Sequence, residues 1–257
     1  MALPDLHGRT AVITGASRGI GAGLAAEFAA RGMNLALCAR GDCPVPAGAE
    51  DRTLTAQVDV QDEAAVEAFA AAAVEHFGAV DLWINNAGVL EPIAPLREVS
   101  LEAFRKHLDI NLIGVFLGTR AYVRAHRARA AAAGASQDAC LINISSGAAW
   151  SGYAGWSAYC AGKAGLDRLT ESVQLEEADT GLRAYAVAPG VVDTAMQELI
   201  RSSTPEQFPM VDKFHEMKAA EAFNTTPFVA EHLLGYAFDP DARPAEVCVR
   251  VPAESEA

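Results

Sequence analysis

Short apolar runs alternate with longer amphipathic stretches along almost the whole chain of 257 residues. The first apolar run, Thr10–Thr14, is followed by a helical pattern over Ile20–Arg31, and this order repeats up to the last run, Glu246–Val251. Strands that alternate with helices form βαβ units, in which parallel strands make one sheet with helices on both faces. The sequence therefore predicts an α/β fold, and no change in composition marks a second domain within residues 1–257.

The remaining predicted elements follow the same alternation. Strands are predicted at Asn34–Ala39, Thr53–Val58, Val80–Asn85, Cys140–Ser145 and Leu182–Val187, and helices at Asp62–Phe77, Leu101–Arg129, Ser157–Asp179 and Phe228–Phe238. Residues 41–52 contain Pro and Gly and predict a loop in place of a helix. Residues 194–226 form a long excursion, for which we expect a substrate lid, with a fixed packing element as the alternative.

Composition narrows the classes of partner. The 33 acidic and 20 basic residues give a net charge of −13, whereas proteins that bind nucleic acid usually carry a basic excess. Five irregularly spaced cysteines without a C-x-x-C motif indicate reduced thiols, and the six scattered histidines show no ligand spacing. No apolar run is long enough to span a membrane. We therefore expect a cytoplasmic protein that binds no nucleic acid, no membrane and no metal.

A glycine-rich turn follows the first strand and opens the first helix. Small residues there permit a tight turn and bring backbone amides close to a pyrophosphate at the helix N-terminus. The spacing is G-x-x-x-G-x-G, so a turn without a ligand is the alternative. The position after a strand favours a dinucleotide site. The residues expected to form this site are Gly15, Ser17, Arg18, Gly19, Ile20 and Gly21.

The end of the second strand bears on the choice of cofactor. A carboxylate there would bind the ribose 2′-hydroxyl of NAD, but this chain has Ala39 followed by Arg40. Arg18 and Arg40 together would clamp a 2′-phosphate through charge-assisted hydrogen bonds. We therefore expect NADP(H), with ordinary surface charges as the alternative reading of both arginines.

Two further strand ends carry polar or small residues. Asp59 and Val60 close the third strand, and Asp59 is expected to accept from the adenine amino group. The string Asn85-Asn86-Ala87-Gly88 closes the fourth strand, where Asn85 and Gly88 would pass under the adenosine ribose and Asn86 and Ala87 would line the cofactor. Because Asn and Gly both tolerate positive φ, a plain turn is the alternative.

Tyr159 and Lys163 lie four residues apart on a predicted helix and therefore share a face. A lysine ammonium beside the phenol would lower the tyrosine pKa from its usual ~10, which makes Tyr159 a general acid/base. Ser146, at the end of the preceding strand, would polarise a carbonyl oxygen. The pair alone arises often by chance, but its order after the glycine turn, Asn-Asn-Ala-Gly and Ser146 argues against chance.

These motifs, with Asn111 in the string DINLIG and the pair Pro189-Gly190, resemble the short-chain dehydrogenase/reductase family over about residues 8–251. The strings GWSAYCAGKAGLDRL and PGVVDTAMQELIRSST resemble its sepiapterin reductase and benzil reductase branch. The resemblance implies a Rossmann-type, doubly wound sheet of about seven parallel strands in the order 3-2-1-4-5-6-7. It also implies four catalytic residues, with Ser146 preferred to Ser145: Asn111, Ser146, Tyr159 and Lys163.

The same resemblance implies contacts beyond the catalytic residues. Cofactor contacts are expected after the sixth strand, at Pro189, Gly190, Val191, Val192, Asp193 and Thr194. Sepiapterin reductases anchor the pterin with an acid near the C-terminus, but this chain has Cys248 there, so sepiapterin is not the expected substrate.

Aromatic residues and methionine flank the expected catalytic centre. A bulky apolar carbonyl compound would suit such a pocket, with core or dimer contacts as the alternative role of these side chains. The expected pocket residues are Trp150, Tyr153, Trp156, Met196 and Phe208.

The sequence thus predicts an NADPH-dependent carbonyl reductase, whose substrate is an aromatic ketone or vicinal dicarbonyl. Alternatives are an alcohol dehydrogenase working in the oxidative direction, a non-catalytic NADP(H)-sensing regulator and a structural subunit. Apolar residues on several faces of two helices also predict a homodimer or homotetramer. These residues are Leu112, Val115, Phe116, Leu166, Leu169 and Val173.

Overall fold

The computed structural model describes residues 4–256 and contains one parallel sheet, in the order β3-β2-β1-β4-β5-β6-β7. Each strand pairs in parallel register with its neighbours. The predicted fold and strand order are confirmed. The strands are β1 Thr10–Thr14, β2 Asn34–Ala39, β3 Thr53–Gln57, β4 Leu82–Asn85, β5 Ala139–Ile144, β6 Leu182–Ala188 and β7 Cys248–Arg250.

Helices cover both faces of the sheet. Those within residues 4–256 are α1 Gly19–Ala30, α2 Glu63–Phe77, α3 Leu101–Leu108, α4 Gly114–Ala133, α5 Ser157–Glu176, α6 Ala195–Arg201, α7 Val211–Ala219 and α8 Thr226–Phe238. Short 3-10 turns lie at Glu50–Arg52, Leu96–Glu98, Gly147–Ala149, Pro240–Ala242 and Glu254–Glu256. No helix in this described range is long and apolar enough to cross a membrane.

Helices on both faces of the sheet explain why the strand sequences are continuous apolar runs. All five residues of β1 are buried, because a sheet with helices on both faces hides both sides of each strand. One apolar cluster joins the sheet to α1 and α8 through side chains such as Phe28 and Leu233. A second cluster joins it to α2 and α4 through Phe69 and Tyr122. Each such burial contributes roughly 1.5–3 kcal/mol.

The predicted continuous helix Leu101–Arg129 is wrong in one respect. The structure divides it into α3 and α4 by a π-helical turn at Asp109–Ile113. The side chain of Asn111 in this turn bonds both backbone groups of Val89, accepting from its N at 2.9 Å and donating to its O at 2.7 Å. A π-helical turn adds one residue to the helix and is frequent at functional sites. Most other predicted boundaries shift by one to three residues.

The two segments that depart from the alternation behave differently. Residues 41–52 form a loop with one 3-10 turn, as predicted. The excursion 194–226 contains α6 and α7 and is anchored by Phe208, which is fully buried and stacks on Trp156 with ring centroids 4.3 Å apart. The opening of this segment as a lid stays a prediction.

Candidate active site

A cleft of about 1240 Å³ lies along the carboxyl ends of the strands. Its walls come from the segments that follow successive strands, including Gly15 after β1, Arg40 after β2, Asn86 after β4 and Pro189 after β6. Open α/β sheets bind ligands at this edge. The sheet topology therefore gathers residues that are far apart in sequence into one site.

The glycine turn is built for close packing against the loop that follows β4. Gly15 has φ +67°, and a Cβ at this position would lie 2.7 Å from the Cα of Ala87. The Nδ2 group of Asn86 donates to the carbonyl oxygens of Thr14 and Gly15 at 2.9 and 3.2 Å. This amide holds the turn in place. A Cβ on Gly21 would lie 2.5 Å from the same Nδ2 atom.

Most of the predicted turn residues reach the cleft. Gly15, Ser17, Arg18, Gly19 and Ile20 line it. Gly21 does not, because it is buried beneath the turn against Asn86. The prediction that Gly21 contacts the cofactor is therefore corrected to a packing role.

Two arginines stand where a 2′-phosphate was predicted. Arg18, Ala39 and Arg40 line the cleft, and neither arginine has an acidic partner within residues 4–256. The nearby Asp42 accepts from Nε2 of Gln57 at 2.8 Å. The absence of an acid at Ala39 and two free guanidinium groups fit a dinucleotide that carries an extra phosphate.

The loops after β3 and β4 complete this half of the cleft. Asp59 and Val60 line it, together with Asn86, Ala87 and Gly88. Asp59 already accepts from the backbone N of Gln61 at 3.1 Å, and its carboxylate keeps further acceptor capacity.

The predicted role of Asn85 under the ribose is wrong. Asn85 is buried, accepts from Nε1 of Trp83 at 2.9 Å and donates to Oδ1 of Asn143 at 2.8 Å. Asn143 in turn donates to Thr170 at 2.9 Å. These bonds satisfy the buried amides and connect β4 and β5 to the helix behind them. Asn85 therefore stabilises the core and does not bind a ligand.

Tyr159 and Lys163, both on α5, meet Ser146 at the middle of the cleft. The Ser146 hydroxyl accepts from the backbone N of Ala148 at 3.2 Å and lines the same cleft as Tyr159. The Nζ atom of Lys163 donates to the carbonyl oxygen of Ile144 at 2.6 Å and lies 5.7 Å from the Tyr159 ring centroid. The geometry places a phenol, a hydroxyl and an ammonium around one point.

Burial dominates the electrostatics of this centre. It raises the pKa of Tyr159, and the nearby Ser146 hydroxyl only partly opposes this. Burial also lowers the pKa of Lys163 to about 8, against the opposing effect of Asp167. The prediction of a lowered tyrosine pKa is thus not met in the structure, where the ammonium donates to the Ile144 carbonyl.

Asn111 lies behind this centre and does not line the cleft. It is fully buried, and its Nδ2 group lies 2.7 Å from Nε2 of His107. Nδ1 of His107 lies 2.7 Å from the carbonyl oxygen of Glu91, and burial lowers the pKa of this imidazole. A neutral ring that donates from Nδ1 and accepts at Nε2 satisfies both contacts.

His107 is a site residue that sequence reasoning missed. Its ring packs edge-on against Tyr159 with centroids 5.9 Å apart. The available signal was its position four residues before Asn111 on one helix, which places both side chains on the same face.

A second missed contact explains the two adjacent serines. The Ser145 hydroxyl donates to Oδ1 of the buried Asp167 at 2.5 Å. Burial raises the pKa of Asp167, and this hydrogen bond opposes the increase. Ser145 is therefore used in packing, and Ser146 is the serine that faces Tyr159, which favours the predicted choice.

The segment after β6 closes the cleft over the glycine turn. Pro189, Gly190, Val192 and Thr194 line it as predicted, together with Val191 and Asp193. The Cγ2 atom of Thr194 would lie 3.5 Å from a Cβ on Gly19, so the two segments nearly touch. Asn224 donates to the carbonyl oxygen of Pro189 at 3.0 Å, which holds the segment in place.

The apolar end of the cleft differs from the predicted pocket at two positions. Tyr153, Trp156 and Met196 line it as predicted. Phe208 does not, because it is fully buried and stacks on Trp156. Trp150 does not either, because its half-exposed indole packs against the guanidinium of Arg250 at 4.9 Å.

The lining residues that were not predicted include Met217 and Arg250. Phe214 and Met217 come from α7, whose position relative to the sheet is set by tertiary packing that a local pattern does not show. No group of His, Cys, Asp and Glu within the described residues is arranged to hold a metal ion.

Comparison with known proteins agrees with this arrangement. A family profile described as "short chain dehydrogenase" matches residues 9–205. The chain is 36% identical to 3beta-hydroxysteroid dehydrogenase 1 of Eggerthella lenta over 200 residues, which cover 74% of this chain and 73% of that protein. It is 31% identical to benzil reductase ((S)-benzoin forming) of Bacillus subtilis over 230 residues, covering 87% and 90%.

Solved structures show the same fold over nearly the full length. Levodione reductase superimposes with a TM-score of 0.81 at 27% identity, covering 98% of each chain. The 3-ketoacyl-(acyl-carrier-protein) reductase of Brucella melitensis, solved in complex with NADH, gives 0.80 at 27% identity, covering 96% of this chain and 97% of that one. Sequence, fold and site geometry therefore agree that this chain is an oxidoreductase that belongs to the short chain dehydrogenase family.

Proposed function

We propose that this protein is an NADPH-dependent carbonyl reductase that acts on bulky aromatic ketones, with vicinal dicarbonyls as the preferred class. One observation carries the proposal: Ser146, Tyr159 and Lys163 lie where the glycine-turn half of the cleft meets its apolar half. A carbonyl group held at this junction would touch both the proton donor and the cofactor.

NADPH, when bound, supplies the hydride that goes to the carbonyl carbon. The Tyr159 hydroxyl delivers its proton to the carbonyl oxygen, and the Ser146 hydroxyl donates a hydrogen bond to the same oxygen. Lys163 is placed to hold the nicotinamide ribose. One ketone, one hydride and one proton thus give one secondary alcohol, and solvent restores the proton of Tyr159. The buried pair Asn111 and His107 fixes the backbone behind the tyrosine and supports the water relay that we expect there.

Reduction consumes the proton of the Tyr159 phenol, and burial raises the pKa of this group. Oxidation of an alcohol would require the phenolate, so we expect it to need higher pH. Several similar proteins are named dehydrogenases, among them cis-4-hydroxycyclohexanecarboxylate dehydrogenase of Sinomonas cyclohexanicum. Oxidation of an alcohol is therefore the second candidate reaction.

The substrate class rests on the apolar end of the cleft. Trp156, Phe214 and Met196 present flat or flexible apolar surfaces next to the catalytic hydroxyls. Two similar proteins have names that indicate diketone substrates, benzil reductase and levodione reductase. A second carbonyl withdraws electrons from the first and makes it a better hydride acceptor.

A ketone panel tests this proposal. With NADPH, benzil and phenylpropanedione should give higher kcat/KM values than acetone and cyclohexanone, measured by loss of nicotinamide absorbance. Equal efficiency across the four ketones would contradict the pocket assignment. Turnover of any of them would exclude a regulator that only senses NADP(H).

We also propose a homodimer that forms through α4 and α5. Of the residues predicted for this face, Val115, Leu166 and Val173 are buried within the chain instead. Phe116 on α4 and Ile113 in the preceding π-helical turn are apolar yet 38% and 44% exposed. Pairing with a second copy would cover this surface. Light scattering at micromolar concentration should give a mass of at least twice the chain's 27.0 kDa, and a monomer mass would refute the proposal.

A further inference from the structure

Arginines without an acidic partner are concentrated in the cleft. Most arginines in residues 4–256 form ion pairs, for example Arg183 with Asp138 and Arg201 with Asp193. In this described range the exceptions are Arg18, Arg40, Arg105 and Arg250. All of these except Arg105 line the cleft. The chain has a net charge of −13, so it offers many acidic groups with which an arginine can pair. Cleft arginines that remain unpaired are therefore available to an anionic ligand.

The three cleft arginines are divided between the two ends of the cleft. Arg18 and Arg40 flank the glycine turn and the end of β2, where the proposed NADPH accounts for them. Arg250, the last residue of β7, lines the substrate end. The proposed reaction of a neutral ketone leaves its charge without a function.

Arg250 lies beside the residue that follows the catalytic serine. Its Nη2 atom would be 3.0 Å from a Cβ on Gly147. Adjacent Cα atoms are about 3.8 Å apart, so this nitrogen lies at most about 11 Å from the Ser146 hydroxyl, a distance that a substrate of two or three linked groups can span. Gly147 thus leaves room for the guanidinium one residue away from Ser146.

Trp150 holds this guanidinium in position. The Cζ atom of Arg250 lies 4.9 Å from the centroid of the Trp150 ring. A guanidinium packed on an aromatic face keeps its N–H donors at the edge of its plane, where they match the two oxygens of a carboxylate. Trp150 is therefore a positioning residue.

We propose that Arg250 binds a carboxylate on the substrate, so that an aromatic ketone with a carboxylate a few atoms from the reacting carbonyl is preferred to the same ketone without that charge. This inference rests on the proposed reductase activity and adds a second recognition feature to its substrate class. The aromatic part of such a molecule would contact Trp156 and Phe214, and its carboxylate would pair with Arg250.

Two acidic residues limit where the carboxylate can lie. Glu91 and Glu198 line the same cleft and have no ion pair within the described residues, whereas Asp193 is neutralised by Arg201 and Lys218. A carboxylate near either glutamate would be repelled. Lys213 also lines the cleft without an ion pair in the described residues, but Arg250 is the cation that lies beside Gly147. We therefore assign the carboxylate to the position beside Gly147.

The test compares keto acids with their methyl esters. In 3-benzoylpropionate and 4-benzoylbutyrate, methylene groups insulate the ketone, so acid and ester have nearly equal electrophilicity. With NADPH and the wild-type chain, at least one acid should exceed its ester in kcat/KM by about 10-fold or more, as expected for a charge-assisted bidentate pair. In Arg250→Gln this acid-to-ester ratio should fall to about one or below.

Arg105→Gln is the matched control, because it removes the same charge from an exposed, unpaired arginine on α3, away from the cleft. It should keep the wild-type ratio. Trp150→Leu should raise KM for the acid more than for the ester. Trp150→Phe keeps an aromatic ring and should return the KM for the acid most of the way to its wild-type value.

Two results would overturn the proposal: esters that match or exceed their acids in the wild-type chain, or an acid preference that survives in Arg250→Gln. Failure of the reductase activity itself looks different. In that case benzil and both esters would also leave NADPH unoxidised, and this inference would fail with it.

Discussion

Replacing Tyr159 by Phe is expected to lower kcat for ketone reduction by about 10²–10⁴-fold, the usual contribution of a positioned general acid. The ring contacts remain, including the edge-on packing against Trp156 at 5.6 Å and His107 at 5.9 Å. Only the proton donor is lost. NADPH binding measured by fluorescence and the melting temperature should therefore stay close to wild-type values, while NADPH oxidation with benzil nearly stops.

Tyr236→Phe serves as a control for the loss of one buried phenol group. Tyr236 lies on α8 and packs against Tyr185, away from the cleft. Its variant should keep wild-type kcat. If Tyr159→Phe retains more than about a tenth of wild-type kcat, the general-acid role is wrong, since such groups contribute at least ~10²-fold.

The second large effect concerns the cofactor. NADPH should be preferred to NADH by about 10–1000-fold in kcat/KM, because each charge-assisted bond to the 2′-phosphate contributes roughly 1.5–3 kcal/mol. Arg18 and Arg40 carry this preference, and Ala39 provides no carboxylate for a ribose hydroxyl. Arg40→Asp should narrow or reverse the preference, because it replaces attraction by repulsion.

Steady-state kinetics with both cofactors and one ketone measure this ratio. Arg105→Asp gives the matched control, since it makes the same change of charge on α3. Equal efficiency with NADPH and NADH, or a preference for NADH, would contradict the assignment of the two arginines.

The central catalytic geometry was predictable because it depends on local periodicity. Tyr159 and Lys163 share a helical face by their spacing of four, and Trp156 is three residues before Tyr159 on the same helix. The different roles of the adjacent residues Asn85 and Asn86 were also predictable from the sequence. Successive side chains of a strand point to opposite faces, so only one of the two was able to face the glycine turn.

Other features depend on contacts between distant segments. Phe208 and Trp150 are both aromatic residues near the site in sequence or in space, yet Phe208 lies behind Trp156 and Trp150 packs on Arg250. Gly118 leaves the room that Asn85 occupies, since a Cβ there would lie 2.2 Å from its Oδ1 atom. Composition and periodicity contain no information about such pairs, which form only when the sheet is assembled.

The π-helical turn at Asp109–Ile113 lets the helical segment hold one more residue without turning α3 relative to α4. A π-helical turn contains about one residue more than an α-helical turn, so the two flanking helices keep nearly the same phase with or without it. α3 therefore directs His107 toward the catalytic tyrosine, while α4 directs Leu117 into the core. Deleting one residue from the turn should keep both directions but would restore the narrower α-helical turn, in which Asn111 is no longer placed against both backbone groups of Val89. The additional residue thus serves the position of Asn111 and not the direction of the helices.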